Sequence, residues 1–379
     1  MASHPRGFSG PRRAASLRRR TDLGTSGGSV GASKPAGRAS GPNPLEAYLA
    51  DCRALVVEQI EDIVASGDDG PLRGLIMDYP LRPAKALRPA ICIATCRALG
   101  GHLDAVAPSA AVLELFHNAF LVHDDVEDGS ELRRGGPTLH REHGVPIAVN
   151  VGDAMFALSL QPLLDNTERI GLGAALEVLQ IVATMCRHSV EGQALELDWI
   201  RRNRWDLAED DYMHMVEKKT GWYTFIAPVK VGAVIAGAEP STGERLVEFA
   251  QALGRSFQIQ DDLLNLQDGD GYGKEADGDL YEGKRTLILL FALEAADEAE
   301  RQRALRILGL PREDKTAAQV SFLRDLIQRT GGDRRARDHA EEQAIAAARG
   351  LESLAPVMGP SRHLDFLRAL VDYVHTRSR

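Results

Sequence analysis

Two runs of acid interrupt otherwise apolar, helix-periodic sequence: His123-Asp124-Asp125-Val126-Glu127-Asp128 and Phe257-Gln258-Ile259-Gln260-Asp261-Asp262-Leu263-Leu264-Asn265. At about 100° per residue, Asp128 falls about 40° around a helix from Asp124 and one turn beyond it. His117, seven residues before Asp124, lies on the same line. In the second run Gln258, Asp261, Asp262 and Asn265 occupy i, i+3, i+4 and i+7, so each helix presents a ladder of oxygen ligands on one face. Clustered carboxylates on one face repel each other unless a cation joins them. Oxygen-only ligands suit a hard ion, and Mg²⁺ is typically held by a few carboxylates together with substrate phosphates. A solvated acidic face is the commoner origin of one Asp-Asp pair. Two such clusters, each preceded by an apolar helical stretch, point instead to a metal–diphosphate site.

The rest of the chain restricts the scaffold to helices. From Ala111 to Asp128, Val112, Leu115, Phe116, Ala119 and Phe120 follow the rhythm of a helical stripe. Similar stretches run through 45–66, 88–100, 147–164, 174–201, 209–236, 242–266, 284–308, 315–330, 335–354 and 361–377. Alternating β patterns are scarce, no glycine-rich strand-to-helix turn is present, and no solenoid repeat occurs. The expected architecture is all-α: one large helical bundle over 44–379 around a central cavity.

Residues 1–43 differ in kind, with eight basic residues against the single acid Asp22 among Gly, Ser, Ala and Pro. Such a segment buries too little apolar surface to order itself, so it reads as a disordered basic tail or as sequence upstream of the true start. Its composition also matches an organelle transit peptide, although no amphipathic helix is visible. The overall net charge of -9 argues against a nucleic-acid partner for the body. The longest uninterrupted apolar run, Thr286 to Leu293, is far short of the roughly 20 residues of a membrane span. The four cysteines, Cys52, Cys92, Cys96 and Cys186, show no metal or redox spacing and read as reduced core residues of a cytoplasmic protein.

Cations accompany the acids. Arg133-Arg134-Gly135-Gly136-Pro137 follows the first cluster in a turn-like segment whose glycines let the backbone approach a ligand. Lys85 and Arg88 precede a helix, Lys219-Thr220 lies mid-chain, and Lys274 and Lys284 follow the second cluster. Arginine forks and lysine point charges both suit phosphate oxygens.

Taken together, Lys85-x-x-Arg88-Pro89, Glu114-x-x-His117, His123-Asp124-Asp125-x-x-Asp128, Arg133-Arg134-Gly135-x-Pro137-Thr138, Gly192-Gln193, Lys219-Thr220, Phe257-Gln258-x-x-Asp261-Asp262 and Gly283-Lys284-x-Thr286 resemble the trans-isoprenyl diphosphate (polyprenyl) synthases, in that family's motif order. The resemblance spans roughly residues 45–377 and is nearest to geranylgeranyl diphosphate synthases. It implies that Asp124, Asp125, Asp128, Asp261 and Asp262 hold Mg²⁺, three ions per site with substrate bound, on the diphosphate of an allylic substrate. Arg133, Lys219 and Lys284 would contact the same diphosphate, while Lys85, Arg88, His117 and Arg134 would hold isopentenyl diphosphate. Gln258 and Thr220 would line the cavity near the developing carbocation, and Lys274 would lie on a closing loop. The family also implies a homodimer.

Some positions depart from the pattern. Asn265 stands for the third aspartate of the second cluster, still offering a neutral oxygen, and Glu196 stands where Asp often follows Gly-Gln-x-x. Pro83-Ala84 replaces Gly-Gly, and Ala86 occupies a position where Arg is common. Product length in this family depends on bulk one turn before the first cluster; a small Ala119 beside a bulky Phe120 points to C20, with C15 or longer products open and simple core packing as the competing role for Phe120. Asp268-Gly269-Asp270-Gly271-Tyr272 begins like a calcium loop, but Tyr272 at the fifth position and Asp279 at the twelfth argue for a loop over the site instead. His140 and His143 read as structural. The other functional readings are a related terpene cyclase, which would leave Lys85, Arg88, His117 and Arg134 without a ligand, and a non-catalytic partner subunit.

Overall fold

The computed structural model describes residues 43–67, 70–266 and 277–376. The expected tail over 1–43, apart from Asn43, and the loop from Asp268 carrying Lys274 lie outside the described residues. Helices α1 (Pro44–Ala65), α2 (Pro71–Leu81), α3 (Leu87–Ala98) and α4 (Leu103–Glu127) lead into an antiparallel hairpin of two-residue strands, β1 (Leu132–Arg133) and β2 (Gly136–Pro137). Then come α5 (Leu139–His143), α6 (Val145–Leu158), α7 (Leu160–Arg169), α8 (Leu172–Arg201) and α9 (Glu209–Val216). A π-helical segment, Glu217–Ile226, runs on into α10 (Ala227–Ala236). The last elements are α11 (Pro240–Asn265), α12 (Gly278–Glu282), α13 (Leu287–Ala295), α14 (Glu298–Leu308), a 3₁₀ turn at Arg312–Asp314, α15 (Ala317–Thr330), α16 (Gly332–Met358) and α17 (Arg362–Thr376). The all-α architecture expected from periodicity is the observed one.

Local chemistry sets the boundaries. Asn43 caps α1 by accepting from Leu45 N at 3.1 Å, with Pro44 in the first turn where its missing N–H costs nothing. Three stretches that read as single helices are divided. Within 147–164, Ser159 donates back to Met155 O at 2.8 Å and Pro162 can give no bond to Leu158, so the helical bonding is interrupted between α6 and α7. Within 284–308, Asp297 accepts from Glu300 N at 2.8 Å and starts α14 anew. Within 209–236, the helix widens to π geometry ahead of Pro228, whose ring excludes the normal bond to Thr224. Helix α2 gives no sequence stripe because Gly74 and Pro80 interrupt it, yet Ile76, Met77 and Tyr79 are buried.

Packing places α4 at the centre, against α1, α3, α6 and α7, while α11 lies along α16 and α3 along α10. One apolar core gathers α1, α3, α4, α10 and α17, and it takes Leu246, Phe249 and Leu253 from the first half of α11. A second core, under α13 to α16, takes Ile259 and Leu263 from its second half. The second acid cluster therefore sits on the stretch of α11 that is pinned by the second core. Cys92 and Cys96 are both fully buried on α3.

Two described stretches, Leu103–Glu127 and Val145–Arg169, are long and apolar enough to cross a membrane by length and composition, beyond what uninterrupted runs alone indicate. The apolar window of the first is 83% buried in the bundle, as a core helix requires.

Gly192 fixes the approach of α8 to the π segment. A Cβ there would stand 2.3 Å from Lys219 N and 2.7 Å from its Cα, with backbone on the far side that has no room to yield. Gly192→Ala is expected to destabilise the protein by about 1–3 kcal/mol through overpacking. Thermal unfolding measures this, and an unchanged midpoint would contradict the close approach.

Candidate active site

Both acid clusters sit at the C-terminal ends of their helices, α4 and α11, and neither helix has a basic residue in its last turn. Acids there oppose the helix dipole, so these positions work against the stability of isolated helices. The two ends converge on one cavity of about 240 Å³, lined by Asp124 from α4 and by Asp261 and Asp262 from α11. Arg88, His117, Arg133, Lys219, Thr220, Gln258 and Lys284 line the same space, so most of the residues singled out in the sequence are brought together.

Lysines stand between the carboxylates. Lys219 Nζ lies 3.7 Å from Asp124 Oδ1 and forms a short ion pair with Glu196. Lys284 Nζ lies 3.8 Å from Asp128 Oδ2, 3.4 Å from Asp279 Oδ1 and 2.9 Å from Glu282 Oε2. Burial alone would lower the affinity of both ammonium groups for their protons; the surrounding carboxylates outweigh it and hold both above the ordinary lysine range. Glu196 is likewise held below its usual range, because Lys219 and Lys284 outweigh its burial. Among the described residues no three His, Cys, Asp or Glu side chains close up tightly enough to hold a metal unaided.

The two aspartates in the middle of the motifs are already occupied. Asp125 is fully buried; its Oδ1 accepts from Arg133 Nε at 2.8 Å and its Oδ2 from Tyr79 OH at 2.6 Å. Asp262 accepts from Tyr212 OH at 2.7 Å and from Gln258 Nε2 at 2.8 Å, and Gln258 Oε1 accepts from Thr220 Oγ1 at 2.8 Å. Burial, then the neighbouring Asp279 charge, pushes the Asp262 carboxyl up to about 8 despite these bonds. Burial, then Asp124, pushes Asp128 up to about 7. Gln193, in the Gly-Gln pair, holds the first cluster by donating to Glu127 Oε2 at 2.6 Å and to Asp124 Oδ1 at 3.4 Å.

A cluster of cations lies beside the acids. Arg88 stacks over the Tyr223 ring, 4.4 Å from its centroid, and donates to Thr224 Oγ1 at 2.8 Å. Arg134, in the left-handed region at φ 51°, donates to Tyr79 O at 2.9 Å and reaches within 3.3 Å of His117 Nε2. Burial, then Arg88, Arg134 and Arg133, lowers the His117 pKa well below its usual value, so the ring is neutral. Arg88 Nε and His117 Nδ1 are buried with no hydrogen-bond partner. Converging cations with orphaned donors define an anion cradle. Lys85 is exposed, away from this lining, against the ring and hydroxyl of Tyr373 on α17.

A second cavity of about 250 Å³ shares Leu121, Asp124, Lys219 and Tyr223 with the first and is walled by Phe120, Phe156, Val190 and Leu197. Phe120 packs 5.4 Å from Phe156 and 5.5 Å from Tyr223, centroid to centroid. Ala119 is fully buried and lines neither cavity.

Tyr79, Tyr212, Tyr223, Asp279 and Arg285 also shape the site without having been singled out in the sequence as site residues. The tyrosines gave no signal beyond apolar periodicity. Asp279 drew notice only as the end of a calcium-like loop. Arg285 is 2% exposed, stacks over Trp205 and donates to Arg204 O and Asn203 Oδ1 at 3.0 Å, tying the α8–α9 turn to Lys284.

A charged cleft opening on an apolar pocket inside an all-α bundle defines an enzyme of the prenyl diphosphate class. The polyprenyl synthetase family matches residues 72–326. The short chain isoprenyl diphosphate synthase of Methanothermobacter thermautotrophicus is 32% identical over 294 residues, 77% of this chain and 86% of that protein. The geranylgeranyl pyrophosphate synthase of Geoglobus acetivorans is 31% identical over 334 residues, 88% and 99% of the two chains. The solved structure of geranylgeranyl pyrophosphate synthetase from Pyrococcus horikoshii superposes with a TM-score of 0.78 at 30% identity, covering 88% of this chain and 98% of that one. The chain belongs to the polyprenyl synthetase family and is a prenyltransferase.

The raised carboxyls give a pH signature. Asp128 and Asp262 bind protons in the folded state that the unfolded chain releases, so their stabilising contribution is complete below about pH 4 and is lost as pH rises through about 7 to 8. Asp128→Asn is expected to raise the thermal midpoint of the ligand-free protein at about pH 8 and to flatten its decline from about pH 5. Midpoints that track the wild type at every pH would contradict the assignment.

Proposed function

We propose that the chain condenses isopentenyl diphosphate with an allylic diphosphate in a Mg²⁺-dependent reaction, giving C20 geranylgeranyl diphosphate. The observation that carries this reading is the junction of the two cavities at Asp124, Lys219 and Tyr223: a polar chamber for diphosphate meets an apolar pocket for a hydrocarbon tail at one point.

The residues fit the ion. Hard carboxylate oxygens line both sides of the chamber, and the lysine ammonium groups among them mark where positive charge is stabilised. Asp124, Asp128 and Asp261 would hold Mg²⁺, three ions per site with substrate present, and bound there it supplies charge that neutralises a departing diphosphate. Asp125 and Asp262 act differently in this reading. Asp125 orients Arg133 toward the chamber, and Asp262 anchors the Gln258–Thr220 chain.

The chain's own groups then divide the work. Arg133, Lys219 and Lys284 take up the negative charge that grows as the allylic C–O bond breaks. The ring of Tyr223 and the oxygens of Thr220 and Gln258 face the carbocation. Arg88, Arg134 and neutral His117 hold isopentenyl diphosphate with its double bond toward that cation, and Lys85, which lies against Tyr373 off the lining, would reach the diphosphate only by leaving that contact. The released diphosphate removes the proton that completes the new double bond, so no nucleophilic side chain takes part. Phe120, braced by Phe156 and Tyr223, closes the apolar pocket and sets the length.

A homodimer in the cytoplasm is part of the proposal. Leu160, Leu164, Leu172 and Leu176 are each 55–63% exposed along α7 and the start of α8, an apolar face suited to a second copy of the chain. The cysteines, without pair spacing, suit a reducing compartment.

Purified protein incubated with Mg²⁺, labelled isopentenyl diphosphate and each allylic primer in turn is expected to form C20 product; no incorporation with any primer would overturn the proposal. Asp124→Ala is expected to reduce turnover by at least about 10²–10³-fold with the helical fold retained, and full activity would refute the metal assignment. Phe120→Ala is expected to lengthen the product. An unchanged chain would place the floor elsewhere.

A further inference from the structure

Asn265 leaves the second acid cluster one carboxylate short of the family pattern, but its side chain is not turned to the cavity as a substitute oxygen. It is buried, and its Oδ1 accepts from the backbone N–H of Asp279 at 3.0 Å. Its own carbonyl accepts from Asp277 N at 2.9 Å. One residue therefore clasps the returning chain at two points. The clasp is reinforced by Arg324 of α15, which grips both carboxylate oxygens of Asp277 at 2.8 Å. Asp277 itself takes the left-handed conformation at φ 60°, and the turn it makes starts α12.

The consequence lies one step along α12. Asp279 lines the diphosphate chamber together with Asp261 and Asp262. Its carboxylate lies 3.4 Å from Lys284 Nζ, the same ammonium group that lies 3.8 Å from Asp128 of the first cluster. A single positive centre thus touches the first cluster on one side and Asp279 on the other.

We propose that Asp279 is the third carboxylate of the second cluster, supplied from α12 rather than from α11, and that Asn265 is the positioning residue that sets it there. The inference rests on the metal–diphosphate reading of the chamber. Asn265 gives the clasp a neutral acceptor for the Asp279 N–H and adds no further negative charge to the cluster.

The test is Mn²⁺ affinity, measured by electron paramagnetic resonance on the full-length protein with saturating inorganic pyrophosphate. Asp279→Asn is expected to weaken Mn²⁺ binding by about tenfold, the size of effect typical of a group supporting a metal site. Asn265→Ala, which leaves the Asp279 side chain untouched, is expected to weaken it in the same direction by a smaller factor, whereas Asn265→Asp retains an acceptor for the Asp279 N–H and is expected to lose less than Asn265→Ala. If both Asp279→Asn and Asn265→Ala bind Mn²⁺ as the wild type does while Asp124→Asn does not, Asp279 has no part in the metal site and this proposal fails alone. If Asp124→Asn also binds as the wild type does, the reading of the chamber fails with it.

Discussion

The arrangement of this protein follows from carboxylates concentrated at the C-terminal ends of two helices, where the helix dipole makes negative charge least welcome. Nothing in the stability of α4 or α11 favours such a placement. It is sustained by Lys219 and Lys284, each of which contacts acids from more than one element, and by cores that hold both helices rigidly. Burial first, and then the charge of a neighbouring acid, raises the pKa values of Asp128 and Asp262 at these ends.

The supporting structure serves to aim these groups. Helix α9 continues through ten π-helical residues, and that widened stretch carries Lys219, Thr220 and Tyr223 into the chamber. Its close contact with α8 depends on the missing side chain of Gly192. The β1–β2 hairpin carries Arg133 back over α4, where Asp125 locks it, and puts Arg134 beside His117. Charge is thereby sorted: acids with lysines on one side, arginines with a neutral imidazole on the other, and an apolar pocket leading away from their junction. That partition matches a molecule with a diphosphate head and a hydrocarbon tail.

Much of this was legible in the sequence because helical periodicity and charge spacing are local properties. Asp124, His117, Gln258, Asp261 and Asp262 line one cavity, as their spacing suggests, whereas Asp128 does not line it and meets it through Lys284 at 3.8 Å. Breaks inside helices were less visible. Pro162 and Pro228 each lie in good apolar rhythm, which masks the break at Ser159 and the π widening. Hardest to read was the difference between a carboxylate that faces the chamber and one that faces a partner. Asp125 differs from Asp124 by one position, and only the fold reveals that Tyr79, 46 residues away in sequence, waits for it. Asn265 is similar: its side chain answers a backbone N–H 14 residues further along the chain. Lys85 lies by Tyr373 at the other end of the chain, a contact no spacing rule reaches.

The account stands most directly on where divalent ions settle. Crystals of the protein grown with Mn²⁺ and inorganic pyrophosphate, measured at the manganese absorption edge, would locate them by anomalous scattering. Peaks within bonding distance of Asp124 or Asp128 on one side of the chamber and of Asp261 on the other, with pyrophosphate between them, are the predicted result. Ordered pyrophosphate held by the arginines and lysines alone, with manganese absent from both ladders, would contradict it.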